Sequence, residues 1–138
     1  FPSDANPAGN VFGGAILKHI DMVAGIVAQR YSQTNAVTVS MDKISFLKPV
    51  FVGNVLFVNA RVNYVQKSSM EIEVNVEAED IAKGTRVHTG NAYVTFVALD
   101  DNGKPTTVPT LRIDNPDDQK RFDEGKLRME RRIKERKK

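Results

Sequence analysis

One carboxylate stands out by its surroundings. Asp21 lies between Ile20 and Met22, in the middle of the most apolar stretch of the chain. A charged group there must be paired, hydrogen-bonded or open to a cleft, because burying an isolated charge is expensive. Two roles fit it: a nucleophile or general base, or an aspartate on the helix's one polar strip, met by a buried amide or lysine. Gly13 and Gly14 open the same stretch, behind a turn-rich segment from Asp4 to Asn10 that contains Asn6, Pro7 and Gly9. Glycines at a helix entrance cost stability relative to alanine. Their small size lets a carbonyl oxygen approach the unpaired N–H groups of the helix start, where the helix dipole favours negative charge. It equally lets a strand pack closely, and both readings stand.

Helix geometry limits how these parts cooperate. From Gly13 to Asp21 the rise is about 12 Å, whereas an oxyanion donor works from about 3 Å. Within one chain the two reach a single carbonyl carbon only through a water or a long bond. The alternative is an aspartate supplied by a partner chain, so the spacing favours a site shared at a subunit interface.

Most other chemistry is excluded. The chain has no cysteine, which removes a thiolate zinc site, a disulfide scaffold and a cysteine nucleophile together. It has neither a Gly-x-Ser-x-Gly elbow, nor a P-loop, nor a Gly-x-Gly-x-x-Gly fingerprint. Of its two histidines, His19 is two residues from Asp21 and on another helix face, and His88 sits in a strand interior. No metal and no cofactor are expected. The 20 basic and 17 acidic residues are unevenly distributed: Arg112 to Lys138 carries 11 against 7, and the rest 9 against 10. A nearly neutral body with no basic-aromatic stripe is not the footprint of a nucleic-acid binder. No apolar run approaches the roughly 18 residues of a membrane span, and the first residues show no basic-then-apolar leader. A cytoplasmic protein is expected.

The elements that must hold these residues are legible. Phe12 to about Tyr31 is apolar nearly all round and reads as a helix enclosed by other structure. From Met70 to Ala78 apolar residues alternate strictly with Glu71, Glu73, Asn75 and Glu77, a strand with one face to a core and one to water. Looser strand patterns cover Ala36 to Phe46, Val55 to Val65 and Arg86 to Leu99. One helix and four antiparallel strands make an α+β arrangement, the sheet wrapped on a single central helix. About Pro116 to Lys138 reads as a charged, solvated helix over the body or a neighbouring subunit. Asp117 and Arg121, Glu124 and Arg128, Glu130 and Lys134 stand at i,i+4, and Phe122, Met129 and Ile133 form a thin apolar stripe. Two units are expected, residues 1–111 and a helical extension over 112–138.

The run Pro2, Ser3, Asp4, Ala5, Asn6, Pro7, then Gly9, Asn10, Val11, Phe12, Gly13, Gly14 and on to Ile20, Asp21 resembles the hotdog-fold acyl-coenzyme A thioesterases, both the small bacterial broad-specificity enzymes and the brain-type cytosolic acyl-CoA hydrolases. Weaker matches follow at Val37, Thr38, Phe46, Pro49, Gly53, Ser68, Ser69 and from Phe96 to Ala98, up to Pro109. The strand that usually precedes the proline–serine–aspartate start is expected to be missing. The resemblance implies a hotdog fold and hydrolysis of acyl-CoA to free fatty acid and coenzyme A. It implies that Asp21 is the catalytic carboxylate, that Asn6 works with it from the other subunit, and that the Gly13 and Gly14 N–H groups hold the thioester oxygen. It also implies a homodimer with shared sites that assembles further, often as a trimer of dimers. Lys67, Ser68 and Ser69, with Arg86 and Lys43, are the candidates for the coenzyme phosphates. A hotdog hydratase or dehydratase and a non-catalytic acyl-CoA sensor are the alternatives. The first generally needs a histidine paired with an acid, and the second an added DNA-binding unit.

Overall fold

The computed structural model describes residues 13–136. Asn6 and the rest of the turn-rich entry lie outside the described residues. The element order is α1 (Gly13–Ser32), β1 (Asn35–Phe46), β2 (Val55–Gln66), β3 (Ser69–Asp80), β4 (Thr85–Leu99) and α2 (Pro116–Arg136). All strand pairs are antiparallel, in the order β1-β4-β3-β2, so β1 and β2 are the edges.

Helix α1 lies on one face of this sheet. Ile16, Ile20, Ala24 and Ala28, spaced by four, form its buried stripe. They meet Met70, Ile72, Val74 and Val76 of β3 and Ala92, Val94 and Phe96 of β4, all at most 2% exposed. Small residues at 24, 25 and 28 bring the helix close: a side chain on Gly25 would lie 3.7 Å from the Phe96 ring. The helix stops where Gln33 turns to φ 59°, its N–H bonding the Gln29 carbonyl at 2.9 Å, a C-terminal arrangement that satisfies a last-turn carbonyl. The protomer does not enclose α1 as the sequence pattern suggests. Met22 and Ile26, on the stripe away from the sheet, are 54% and 49% exposed. Four strands cover only one side of a helix, so apolar residues on its far side have no partner among the described residues.

The opposite face of the sheet differs from expectation too. Alternation sends Glu71 to water, yet it is 4% exposed, because α2 crosses that face. Arg128 grips Glu71 through two bonds, Nε to Oε2 at 2.9 Å and Nη2 to Oε1 at 2.6 Å, and lies 3.7 Å over the Tyr93 ring. Phe122 meets Tyr64 edge-on at 4.8 Å. Arg128 is therefore not spent on Glu124, and Arg121 pairs with Asp118 rather than Asp117. Of the thin apolar stripe, Met129 is buried while Ile133 is 41% exposed. Tertiary partners outcompete the i,i+4 pairs because a bidentate bond to a buried carboxylate is stronger than a solvated helix pair.

Candidate active site

Asp21 projects from the flank of α1 that faces β1. Its Oδ1 accepts a hydrogen bond from the Thr38 hydroxyl at 2.8 Å, and it is half-buried. Among the described residues the carboxylate is neither sunk in the core nor in a salt bridge, and its one hydrogen-bond partner there is Thr38. Thr38 was not singled out as a site residue from the sequence. The signal was a β-branched hydroxyl in a strand pattern, which ordinarily reads as propensity alone.

His19 occupies the other flank. With Val23 it lines a cleft of about 650 Å³ between α1 and the start of β2, closed by Val52, Leu56 and Val58. A helical advance of two residues turns the side chain by about 200°, so His19 and Asp21 act on different spaces. Among the described residues no histidine–acid pair of the hydratase kind is assembled.

The first turn of α1 holds Gly13 and Gly14 and no acidic residue. Helix-start N–H groups have no partner inside the helix. A Cβ built on Gly14 meets nothing within 4 Å among the described residues, so close strand packing does not account for this glycine.

The suggested coenzyme contacts fall in three places. Lys67 and Ser68 form the β2–β3 turn, with Lys67 at φ 53°, and Ser69 opens β3. That turn is tied to the end of β4 and to the segment after it, since Ala98 N–H donates to the Ser68 carbonyl at 2.9 Å and Val108 N–H to that of Lys67 at 2.8 Å. Arg86 is already engaged on the sheet face away from α1, pairing with Glu77 at 2.5 Å and covering the Phe57 ring at 3.7 Å. It does not approach Asp21 within the chain. Lys43 sits at a second irregularity of β1, at φ 53°.

Known proteins carry the same pattern. The family model described as the Thioesterase superfamily matches residues 8–85. The cytosolic acyl coenzyme A thioester hydrolase of Rattus norvegicus is 42% identical over 129 residues, covering 92% of this chain and 34% of that protein. The chain therefore spans about a third of that relative's length. An acyl-CoA hydrolase from Staphylococcus aureus, solved with butyryl coenzyme A, coenzyme A and coenzyme A disulfide, superposes with a TM-score of 0.90 at 37% identity, over 99% of this chain and 83% of that one. The same hydrolase has been solved with alanine in place of an asparagine, an aspartate and a threonine, which are 15 and then 17 residues apart. An apo-hexameric acyl-CoA thioesterase gives a TM-score of 0.92 at 31% identity, over 98% of this chain and 86% of that one. With more than half of its residues inside the family model, this chain belongs to the thioesterase superfamily, and its helix-on-sheet architecture is the hotdog fold.

Proposed function

We propose that this chain hydrolyses fatty acyl-CoA thioesters to free fatty acid and coenzyme A. The bond between Thr38 and Asp21 carries the reading. The intervals from Asn6 to Asp21 and from Asp21 to Thr38 are 15 and 17 residues, those of the three substituted positions in the Staphylococcus aureus hydrolase. The thioester carbonyl docks on the Gly13 and Gly14 N–H groups, where the helix start favours the developing oxyanion. Thr38 fixes the carboxylate through Oδ1. Asp21 then either draws a proton from water, whose oxygen attacks the carbonyl carbon, or attacks that carbon itself to form an anhydride that water opens. On either route the C–S bond breaks and coenzyme A leaves as the thiolate, which takes up the proton released by the water. Asn6 orients the water or the carbonyl.

The rise of about 12 Å between Gly13 and Asp21 supports a site whose two halves come from two protomers. The exposed Met22 and Ile26 and the unpaired edge of β1 support a homodimer, and the hexameric neighbour supports further assembly as a trimer of dimers. Residues 1–111 hold the reacting groups, with 112–138 as an extension. The Lys67–Ser69 turn is the candidate for the coenzyme phosphates, and Arg86 serves only from a neighbouring chain. A cytoplasmic location is supported by relatives named cytosolic and by the lack of any membrane-length apolar helix among the described residues.

The test is thiol release from a panel of acyl-CoAs running from acetyl to palmitoyl. The wild type should turn over at least part of the panel, and Asp21→Ala should lose about 10²–10⁴ in kcat. No thiol release from any member, or near-normal turnover by Asp21→Ala, would overturn the assignment.

A further inference from the structure

Helix α2 lies over one particular row of the sheet. Tyr64 of β2 pairs with Glu71 of β3, Glu71 with Thr95 of β4, and Thr95 with Ser40 of β1, so these four residues form a line across all four strands. Three inter-strand gaps span about 14 Å. From Phe122 to Arg132 the helix rises about 15 Å, and its sheet-facing residues step along the row. Phe122 and Gly125 stand on Tyr64, Arg128 on Glu71, and Arg132 on Thr95 and Ser40.

Both edge strands carry a register irregularity at this row, between Val62 and Tyr64 in β2 and between Thr38 and Ser40 in β1. The second borders the candidate site. Among the described residues of one chain β1 is paired on one side only, and the bulge interrupts that ladder. Ladder bonds therefore hold Thr38 less firmly than a residue of β3 or β4. Arg132 supplies the missing restraint. Its Nη1 donates to the Ser40 hydroxyl at 2.8 Å and also to the Thr95 hydroxyl, stitching β1 to β4 at the bulge. Ser40 in turn donates to Asp42 at 3.1 Å, whose carboxylate is 3.6 Å from Arg132. Ser40 is two residues from Thr38, on the opposite face of the strand, with the exposed Val39 inserted between them.

We infer that Arg132 is a positioning residue for the Asp21–Thr38 pair: from α2, across the sheet, it holds the β1 bulge in the one shape that points the Thr38 hydroxyl at Asp21. The inference rests on the thioesterase reading, but the clamp itself does not. A planar guanidinium suits this task, since one nitrogen carries two N–H groups in a fixed fork that reaches both hydroxyls.

The experiment is a double-mutant cycle on acyl-CoA hydrolysis, joined to amide deuterium exchange. Arg132→Gln should lower kcat by about ten- to a hundred-fold, the scale of a small misplacement of a reacting group, and leave KM nearly unchanged. In a Thr38→Ala background the same substitution should change kcat little, because its effect passes through Thr38. Equal losses in both backgrounds would mean a general structural role and would overturn the inference. Ser40→Ala removes only the β1 end of the clamp and leaves the Arg128–Glu71 bond that docks α2. It should lower kcat likewise without lowering the melting temperature appreciably, so the test survives if Arg132→Gln does not fold. Full kcat in Ser40→Ala would overturn the inference. If the wild type releases no thiol at all, the functional reading fails separately. Deuterium exchange at residues 38–42 then decides: faster exchange in the two variants sustains the clamp, and unchanged exchange removes it.

Discussion

At the scale of single residues, the hydroxyl on β1 and the glycine at the start of α1 do different work, and their substitutions separate. Thr38 makes a hydrogen bond to a charged group, a class worth about 1.5–3 kcal/mol. Thr38→Ala should therefore cost about ten-fold or more in kcat while the melting temperature stays close to wild type, since the residue is exposed in the chain. Gly14→Ala should give the opposite pair of effects. A Cβ there meets open space, so the fold gains about 0.5–1 kcal/mol from helix propensity. Turnover should fall, because the methyl group stands where a thioester oxygen must approach the backbone. A variant both more stable and fully active would show that the helix start does not receive substrate. Asp21 was conspicuous in the sequence as the lone carboxylate of an apolar helix. Thr38 was not, because only the folded chain brings it 17 residues back to the carboxylate.

At the scale of elements, α2 shows how a charged helix can be structural. A Cβ on Gly125 would lie 2.8 Å from that of Tyr64 and 3.0 Å from Glu71 Oε1, so this glycine permits the closest approach of helix to sheet. Gly125→Ala improves intrinsic helix propensity by about 1 kcal/mol, yet overpacking of this kind costs about 1–3 kcal/mol. The melting temperature should fall slightly or not rise, against the direction propensity alone would give. Arg128→Met leaves Glu71, 4% exposed, as an uncompensated buried charge and should cost about 3–5 kcal/mol in urea unfolding. A loss below about 1 kcal/mol would mean that α2 is not seated on the sheet in solution. Periodicity located this helix within a residue or two of its bounds. It gave only part of the contact face because it counts apolar residues: Phe122 and Met129 pack inward, and Arg128 and Arg132 reach the sheet beside them.

At the scale of the molecule, the apolar outer stripe of α1 and the ionisation of the tyrosines are the collective properties. Met22→Asp together with Ile26→Asp should leave a folded protomer, because neither residue is in the core. Light scattering should report a smaller particle, and kcat should fall with the loss of the shared site. An unchanged particle mass would place the subunit contact elsewhere. Burial raises the pKa of Tyr31, Tyr64 and Tyr93 above 10.0, with nearby carboxylates adding to it at Tyr64 and Tyr93 and Arg128 opposing at Tyr93. The folded state therefore holds these protons more tightly than the unfolded chain. The stability they contribute is complete below pH 10 and is lost as pH rises from there through the folded values. Absorbance at 295 nm should show phenolate forming later in the native protein than in urea.

The order of elements, their ends and the core strip of β3 were settled by the sequence itself, because periods of two and of about four residues are local properties of a chain. The glycine entrance and Asp21 were likewise written in residue type. The partner of Asp21, the crossing of α2 over the row from Tyr64 to Ser40 and the burial of Glu71 came only with the tertiary structure. Each joins residues far apart along the chain, and such pairings depend on which strands become neighbours and where their ladders slip. A period cannot encode that. The competition among all strand and helix contacts decides it.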